Sequence, residues 1–375
     1  MNEFEIYVHI PFCLQKCRYC DFLSFRCRED VKEAYVEALK KEALYRSGAF
    51  SGSRAVSVFF GGGTPTVLPA KTLCSLADDL RRSYDFSDDC EITTECNPAT
   101  ADKEYFRGLL HAGFNRVSIG VQSFDDGCLE RLGRIHSSDD AKRAIDSAHD
   151  AGFENVNVDL MSAIPGQKLK MWIRDLDTAV SFGATHISAY SLILEEGTYL
   201  YDHRSELDLP GEEEERRMYD MTFDILSRKG FHQYEISNYA KEGFDCRHNT
   251  GYWTGVPYIG LGLGASSYLD RKRSENEKDI NRYISLLGEG ASVTHVTEEL
   301  KTEDLMSEFM ILGLRMTSGV SVSEFKERFG EDLFEIYGET IEKYTDSGFL
   351  ERDGDRIRFS RKGISVSNTI LADLI

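Results

Sequence analysis

The sequence predicts an α/β fold built on a parallel sheet, followed by a smaller C-terminal domain that is mainly helical. Three observations carry this reading. Six short runs rich in β-branched and aromatic residues lie at 5–10, 55–60, 91–95, 116–121, 155–161 and 186–192, bounded by Gly, Pro or Asn. Between them run stretches with apolar residues at three- and four-residue spacing, such as VKEAYVEALKKEALYR (31–46) and AKTLCSLADDLRRSY (70–84). Six βα repeats in series specify parallel strands with crossover helices, because parallel neighbours cannot be joined by a tight turn. A curled barrel and a flat doubly wound sheet share this pattern, and in both the ligand site belongs at the C-terminal ends of the strands.

The third observation is a change of texture after Pro210. Four glutamates at 212–215 suit the first turn of a helix, whose dipole they complement; an acidic binding patch is the competing reading. Residues 231–298 read as an irregular aromatic and Gly-rich segment that includes RHNTGYWTGVPYIGLGLGASSY (247–268). Residues 299–375 read as two or three amphipathic helices and then GFLERDGDRIRFS, with Asp353-Gly354 as a hairpin turn. Helices followed by a hairpin suggest a winged-helix-like domain. The expected division is therefore 1–230, 231–298 and 299–375.

At 375 residues, with 41% hydrophobic and 29% charged residues, the chain can bury an ordinary core. Lys and Arg number 44 against 64 Asp and Glu, a formal net charge of -20. That balance argues against a phosphate backbone as the main ligand and favours a structural or docking role for the C-terminal domain over DNA binding. No apolar run approaches the ~20 residues of a membrane span. The start MNEFEIYVHIPF lacks a secretory signal, so a cytoplasmic protein is expected. Nine cysteines is an odd number in a chain with no need of disulfide staples. Six are scattered, and three crowd together as Cys13, Cys17 and Cys20.

Those three follow the first strand, on the loop where a parallel α/β site should lie. Thiolates ligate iron–sulfur clusters, and four would saturate a [4Fe–4S] cube. Three would leave one iron open. Zinc held by three cysteines and a distant histidine, or unligated buried thiols, are the other readings. CxxxCxxC on the first loop, with Tyr19 before the third cysteine, resembles the signature of the radical S-adenosylmethionine superfamily. The resemblance implies that the βα repeats form a partial TIM-type (β/α)6 barrel. It also implies that the open iron is chelated by S-adenosylmethionine, which is cleaved to a deoxyadenosyl radical.

Phe60-Gly61-Gly62-Gly63-Thr64-Pro65 resembles the superfamily's glycine-rich segment, which holds the methionine amino group; alone it could be a tight turn. Gly62, Gly63 and Thr64 are its candidate contacts, since backbone without Cβ atoms lets a ligand approach closely. Glu95, Gln122, Arg134 and Asp159 lie at or beyond strand ends. With Tyr7 and Tyr19, they match S-adenosylmethionine-contacting positions of the coproporphyrinogen dehydrogenase branch. Carboxylates can accept from ribose hydroxyls and Arg134 can pair with the ligand carboxylate. Taken singly, each could be a strand-end salt bridge or cap.

YVHIPFC, FFGGGTPT, RVSIGVQSF and VNVDLMSAIPGQ resemble the oxygen-independent coproporphyrinogen III dehydrogenases and the related heme chaperone family HemW. Three details favour the chaperone branch. The dehydrogenases carry a further cysteine two positions after the third cluster ligand, where this chain has Phe22. They have a substantial N-terminal extension, whereas twelve residues precede Cys13 here. His248-Asn249-Thr250-Gly251-Tyr252-Trp253 resembles the heme-binding H-N-x-x-Y-W motif of HemW. His248, Asn249, Tyr252 and Trp253 are thus candidate heme residues, with His248 as iron ligand and Cys246 as the alternative. A packed structural histidine is the other reading. The resemblance implies a heme chaperone that binds a [4Fe–4S] cluster, S-adenosylmethionine and heme. Its partners would be heme-acceptor proteins, among them membrane-associated respiratory enzymes, with a homodimer a further arrangement the sequence admits. The runner-up is a coproporphyrinogen III dehydrogenase that oxidatively decarboxylates two propionates. Radical modification of tRNA fits the cysteines but not the charge.

Overall fold

The computed structural model describes residues 3–374. The first strand, β1 (Glu3–Ile10), alternates: Phe4, Ile6, Val8 and Ile10 are buried with the helices in the main core, while Glu5, Tyr7 and His9 point to the opposite face. The remaining strands of the series are β2 (Arg54–Gly62), β3 (Asp85–Cys96), β4 (Arg116–Gln122), β5 (Asn155–Ser162) and β6 (His186–Ser191). Each pairs in parallel with the next. The crossovers are α1 (Glu29–Arg46), α2 (Ala70–Ser83), α3 (Lys103–His111), α4 (Asp126–Leu132) with α5 (Ser138–Ala151), and α6 (Leu169–Ser181). They cover the outer face with Leu39, Leu73, Leu76, Phe106, Leu109, Ile145 and Leu176. Burying such side chains supplies roughly 1.5–3 kcal/mol each. Local signals agree with the packing: Ser137 and Asp140 form a reciprocal capping box at the start of α5.

The parallel set is extended at both ends rather than closed on itself. After α7 (Tyr199–Asp202) and α8 (Glu212–Arg228), the short strands β7 (His232–Gln233) and β8 (Asn238–Ala240) pair antiparallel, and β8 adds to β6. The next helix is α9 (Arg247–Thr254). Beyond it, β9 (Tyr258–Leu261) pairs in parallel with the free side of β1. The antiparallel β10 (Ser266–Leu269), β11 (Lys272–Asn276) and β12 (Thr294–Glu299) continue outward. The segment expected to be irregular at 231–298 thus contributes six strands of the large sheet. Its strands are two to six residues long, and β12 is almost wholly exposed, so no apolar alternation announces it.

Helix α9 lies across the inner face of the barrel against Glu5, Tyr7, Ser57 and Phe59. Gly251 makes this possible: a Cβ there would lie 2.1 Å from Glu5 Oε1. After α10 (Ile280–Gly288), the C-terminal domain comprises α11 (Thr302–Gly313), α12 (Val322–Phe329), α13 (Leu333–Asp346) and a small antiparallel sheet. That sheet joins β13 (Val320–Ser321), β15 (Arg356–Phe359) and β14 (Leu350–Asp353) around a separate core of Met310, Leu314, Phe325, Leu333 and Ile357. The hairpin forms where expected, one residue later: Asp353 pairs with Arg356, leaving Gly354-Asp355 as the loop. The domain docks through Thr317 N–H on the Tyr234 carbonyl (2.9 Å) and Arg361 on Asp224 (2.8 Å). No helix among the described residues is long and apolar enough to cross a membrane.

Candidate functional site

The chain leaves β1 through a loop pinched at its base, where Cys13 N–H donates to the Phe25 carbonyl (3.0 Å) and Phe25 N–H to that of Pro11 (2.8 Å). Cys13, Cys17 and Cys20 lie on this loop and all border one cavity of about 140 Å³. Its other walls come from strand ends: Gly62, Gly63 and Thr64 after β2, Glu95 on β3, Gln122 on β4, Asp159 on β5, together with Tyr19 and Arg134. Residues far apart in sequence therefore meet as the motifs predicted. Tyr7 does not join them. It borders no such cavity and instead stacks with Phe59 and His248, its hydroxyl bonded to His9 Nδ1 at 3.0 Å.

Cys13 Sγ lies 3.8 Å from Thr64 Oγ1, and Arg134 Nη1 donates to Cys17 Sγ at 3.5 Å. Arg134 Nη2 donates to the Gly120 carbonyl, and its Nε is buried without a partner. A single tetrahedral ion would need its donors within about 2.3 Å of one point. Among the described residues no three His, Cys, Asp or Glu side chains converge in that way. Three thiols around a common cavity are the donor set of a polynuclear cluster held at three corners.

Glu95 accepts from Gly62 N–H at 3.1 Å. Burial, reinforced by the Asp159 charge, raises its pKa to about 8, so near neutrality its carboxyl can donate as well as accept. Burial also raises Asp159, while Asn157 and Ser118 donate to it at 2.7 and 3.1 Å. Gln122 holds φ +68°, a left-handed conformation that a non-glycine residue adopts at a cost of about 1–3 kcal/mol and that clusters at binding sites. Gly62 serves packing as well as access. At φ +108° its Cβ would lie 2.4 Å from the His9 ring, so the close approach that excludes other residues here is first to β1.

A deeper cavity of about 420 Å³ continues from Tyr19, Glu95 and Asp159 down to α9, where Cys246 and Asn249 border it. Arg116, Asn157, His186 and Tyr234 also line it. The signal for the strand residues among them is polar side chains at even spacing on otherwise apolar strands: 116, 118 and 122 on β4, 157 and 159 on β5, and 186 and 188 on β6. A hydrogen-bonded chain links α9 to Asp159. Asn249 donates to Tyr234 Oη (3.3 Å), which meets His186 Nε2 (2.9 Å); His186 Nδ1 meets Asn157 Oδ1 (2.7 Å), and Asn157 donates to Asp159.

The remaining motif residues divide between two sides of α9. His248 is enclosed, with Nδ1 on Ser57 Oγ (2.7 Å), Nε2 on Tyr252 Oη (3.1 Å), and Phe59 stacked at 5.1 Å. Burial lowers its pKa to about 3, so it is neutral. The expectation that His248 faces a heme iron is not met in this geometry: both ring nitrogens are engaged and the residue borders neither large cavity. Cys246 is buried too, its thiol raised by that burial. Trp253 faces outward, into a third cavity of about 410 Å³ between α9, the β9–β11 strands and the C-terminal helices, and Tyr252, whose hydroxyl meets His248, borders that cavity too. Phe309, Leu312, Met316 and Arg273 line it as well. The Trp253 ring lies 4.8 Å beneath the Arg315 guanidinium, and its Nε1 is buried without a partner.

Comparison with known proteins agrees with this architecture. Residues 7–179 match the radical SAM superfamily and residues 300–366 the HemN C-terminal domain. The chain is 36% identical to the heme chaperone HemW of Bacillus subtilis over 97% of both chains. The chain belongs to the HemW heme chaperone family. The corresponding protein of Escherichia coli is 40% identical over 70% of this chain and 69% of that one. The solved coproporphyrinogen III oxidase HemN of Escherichia coli, a radical SAM enzyme, superposes with a TM-score of 0.86 over 100% of this chain and 90% of that one. At 21% identity, that likeness establishes the fold: a radical SAM barrel with a C-terminal helical domain. Radical SAM membership implies a [4Fe–4S] cluster and S-adenosylmethionine for the family.

Proposed function

We propose that this chain carries heme as cargo, holds a [4Fe–4S] cluster on Cys13, Cys17 and Cys20, binds S-adenosylmethionine beside it, and delivers heme to acceptor proteins of respiratory type. The observation that supports the reading most is the meeting of the three thiols with six strand-end residues around one cavity, in a chain alike throughout to heme chaperones. The cluster would supply single electrons and an iron open to an outside ligand. The rest falls to this chain's own side chains. Glu95 and Asp159 orient ribose hydroxyls, Arg134 and Gln122 hold the ligand carboxylate, and Gly62 and Gly63 offer backbone to its amino group.

For heme, the third cavity is the better seat. It presents aromatic planes and the Arg328 cation, with Arg273 beside it already paired to Glu308, which suit a flat apolar ring bearing carboxylates. His248 would reach iron only by giving up Ser57 and Tyr252 and turning out of the barrel. Its role in this reading is to anchor α9, while Tyr252 and Trp253 pack on the macrocycle. The test is to mix cluster-loaded protein separately with heme and with coproporphyrinogen III, the latter with reductant and S-adenosylmethionine under anaerobiosis. Heme uptake followed by transfer to an apo acceptor, without protoporphyrinogen formation, is expected. Robust turnover without heme uptake would replace the chaperone by the dehydrogenase.

A further inference from the structure

The buried stripe of α6 is Trp172, Leu176 and Ala179, and an aspartate stands in the same stripe: Asp175 is fully enclosed, at 0% exposure. Among the described residues no Lys, Arg or His forms an ion pair with it; Arg174, its neighbour in the chain, is taken by Asp125 at 2.9 Å. Asp175 instead accepts two hydrogen bonds from the turn that follows β4. Ser123 Oγ donates to its Oδ2 at 2.7 Å, and the Phe124 N–H donates to its Oδ1 at 2.9 Å. Burial raises its pKa to about 6, so near neutrality it is ionised and its charge is a net cost to the fold. Folds keep such costs chiefly where function needs the geometry they enforce.

The turn it holds is the strained point of the cavity beside the three thiols. Gln122, directly before Ser123, borders that cavity with φ +68°, and a left-handed non-glycine residue persists only where its surroundings over-determine it. Ser123 is tied down on each side: its N–H donates to the Val121 carbonyl at 2.9 Å, and its Oγ accepts from the Asp125 N–H at 3.1 Å. Asp125 in turn caps α4 by accepting from the Cys128 N–H at 3.1 Å. Arg134 follows that helix, its N–H on the Leu129 carbonyl at 2.9 Å. Asp175 itself borders neither the thiol cavity nor the deeper one. We propose that Asp175 is a positioning residue for S-adenosylmethionine: from α6 it locks the turn after β4, and so fixes Gln122 and, through α4, Arg134 in their binding positions. The inference rests on the S-adenosylmethionine reading given above.

The experiment uses the full-length, cluster-loaded chain and measures S-adenosylmethionine affinity by calorimetry from about pH 5 to about pH 7.5, a range that spans the Asp175 pKa of about 6. Asp175→Asn keeps the shape of the side chain and mimics its protonated form. At about pH 7.5 the variant should bind about ten-fold more weakly than wild type, the scale of a lost hydrogen bond to a charged group. The gap should close as pH falls below about 6, because wild-type Asp175 is then protonated as well. Glu95 also titrates near this range, but it is common to both proteins and cancels in the comparison. So do the other groups that face the clamp: Asp125, Arg174, Arg131, the Cys128 thiol, kept protonated by burial, and His136, kept neutral by burial. Two results overturn the inference: equal affinities at about pH 7.5, or a loss of the same size at every pH, which would make Asp175 a structural residue. Ser123→Ala removes the partner hydroxyl and should also weaken binding several-fold. It keeps the test open if the asparagine variant does not fold, and unchanged affinity in it overturns the inference too. A wild type that binds no S-adenosylmethionine would remove the nucleoside site itself, whereas a wild type that binds it, with either overturning result, would remove the role of Asp175 alone.

Discussion

The Glu91 carboxylate on β3 accepts hydrogen bonds from the backbone N–H of His248 at 3.3 Å and of Arg247 at 3.1 Å. A barrel strand thereby caps the helix that carries H-N-x-x-Y-W, in place of the cap that Cys246 does not provide. Replacing Glu91 with Ala should cost about 1–3 kcal/mol, since it removes a buried cap and leaves amides unpaired. Urea unfolding measures this, and a change within about 0.5 kcal/mol, the range of an ordinary surface substitution, would remove the capping role.

The cluster assignment predicts iron content. Reconstituted protein should hold about four irons per chain, by the stoichiometry of a cube. Cys17→Ala should lose them while keeping its fold, whereas Cys74→Ala, on α2 away from the loop, should keep them. Full iron in the Cys17 variant would exclude a three-thiolate site.

Glu95→Gln and Asp159→Asn should each weaken S-adenosylmethionine binding by about ten-fold or more, the scale of a lost hydrogen bond to a charged group. Neither should lower stability, because burial penalises both carboxylates in the empty site. Calorimetry reads the first effect and thermal unfolding the second; unchanged affinity in both variants would move the nucleoside elsewhere.

Glu5 sets a pH dependence. Burial raises its pKa from 4.5 to about 9, so the folded protein keeps a proton that the unfolded chain releases above about 4.5. Its contribution is therefore fully present below that value and is lost as pH rises through about 9. Glu5→Gln should flatten this decline between pH 5 and 9 in urea titrations. An unaltered slope would show that Glu5 ionises normally.

Trp253→Ala should weaken heme binding by about ten-fold, from lost apolar area and ring packing. His248→Ala should instead lower stability by about 1–3 kcal/mol through the orphaned Ser57 and Tyr252 hydroxyls and leave the Soret maximum in place. A shifted Soret band in the histidine variant would mean that α9 opens and His248 does ligate iron.

Much of this was legible in the chain itself. The apolar runs and Gly, Pro and Asn boundaries located all six parallel strands, and the convergence of Cys13, Gly63, Glu95, Gln122 and Asp159 follows once those strands are in order. What sequence could not convey is which side of α9 a residue faces. His248 and Tyr252, four apart, share a face, but whether it meets solvent or the barrel interior depends on Glu91 and on the space beside Glu5 that Gly251 leaves. The strands after α9 were hidden because β9 is short and acquires its partner, β1, only from the other end of the chain. Arg116 was hidden for a different reason: a charged residue at a strand start reads as solvated until burial shows otherwise.

The pairing of β1 with β9 also has a consequence in time. During synthesis β1 emerges first, and Pro257 to Leu261, which cover its outer edge, emerge last of the barrel. Until then the strand bearing the cysteine loop is supported on one side only. Every wall of the cavity that the three thiols border lies within residues 13–159, so the cradle is made before the strand that braces its β1 support. A protein stalled before residue 257 would thus hold its cysteine loop on a strand with one edge unpaired.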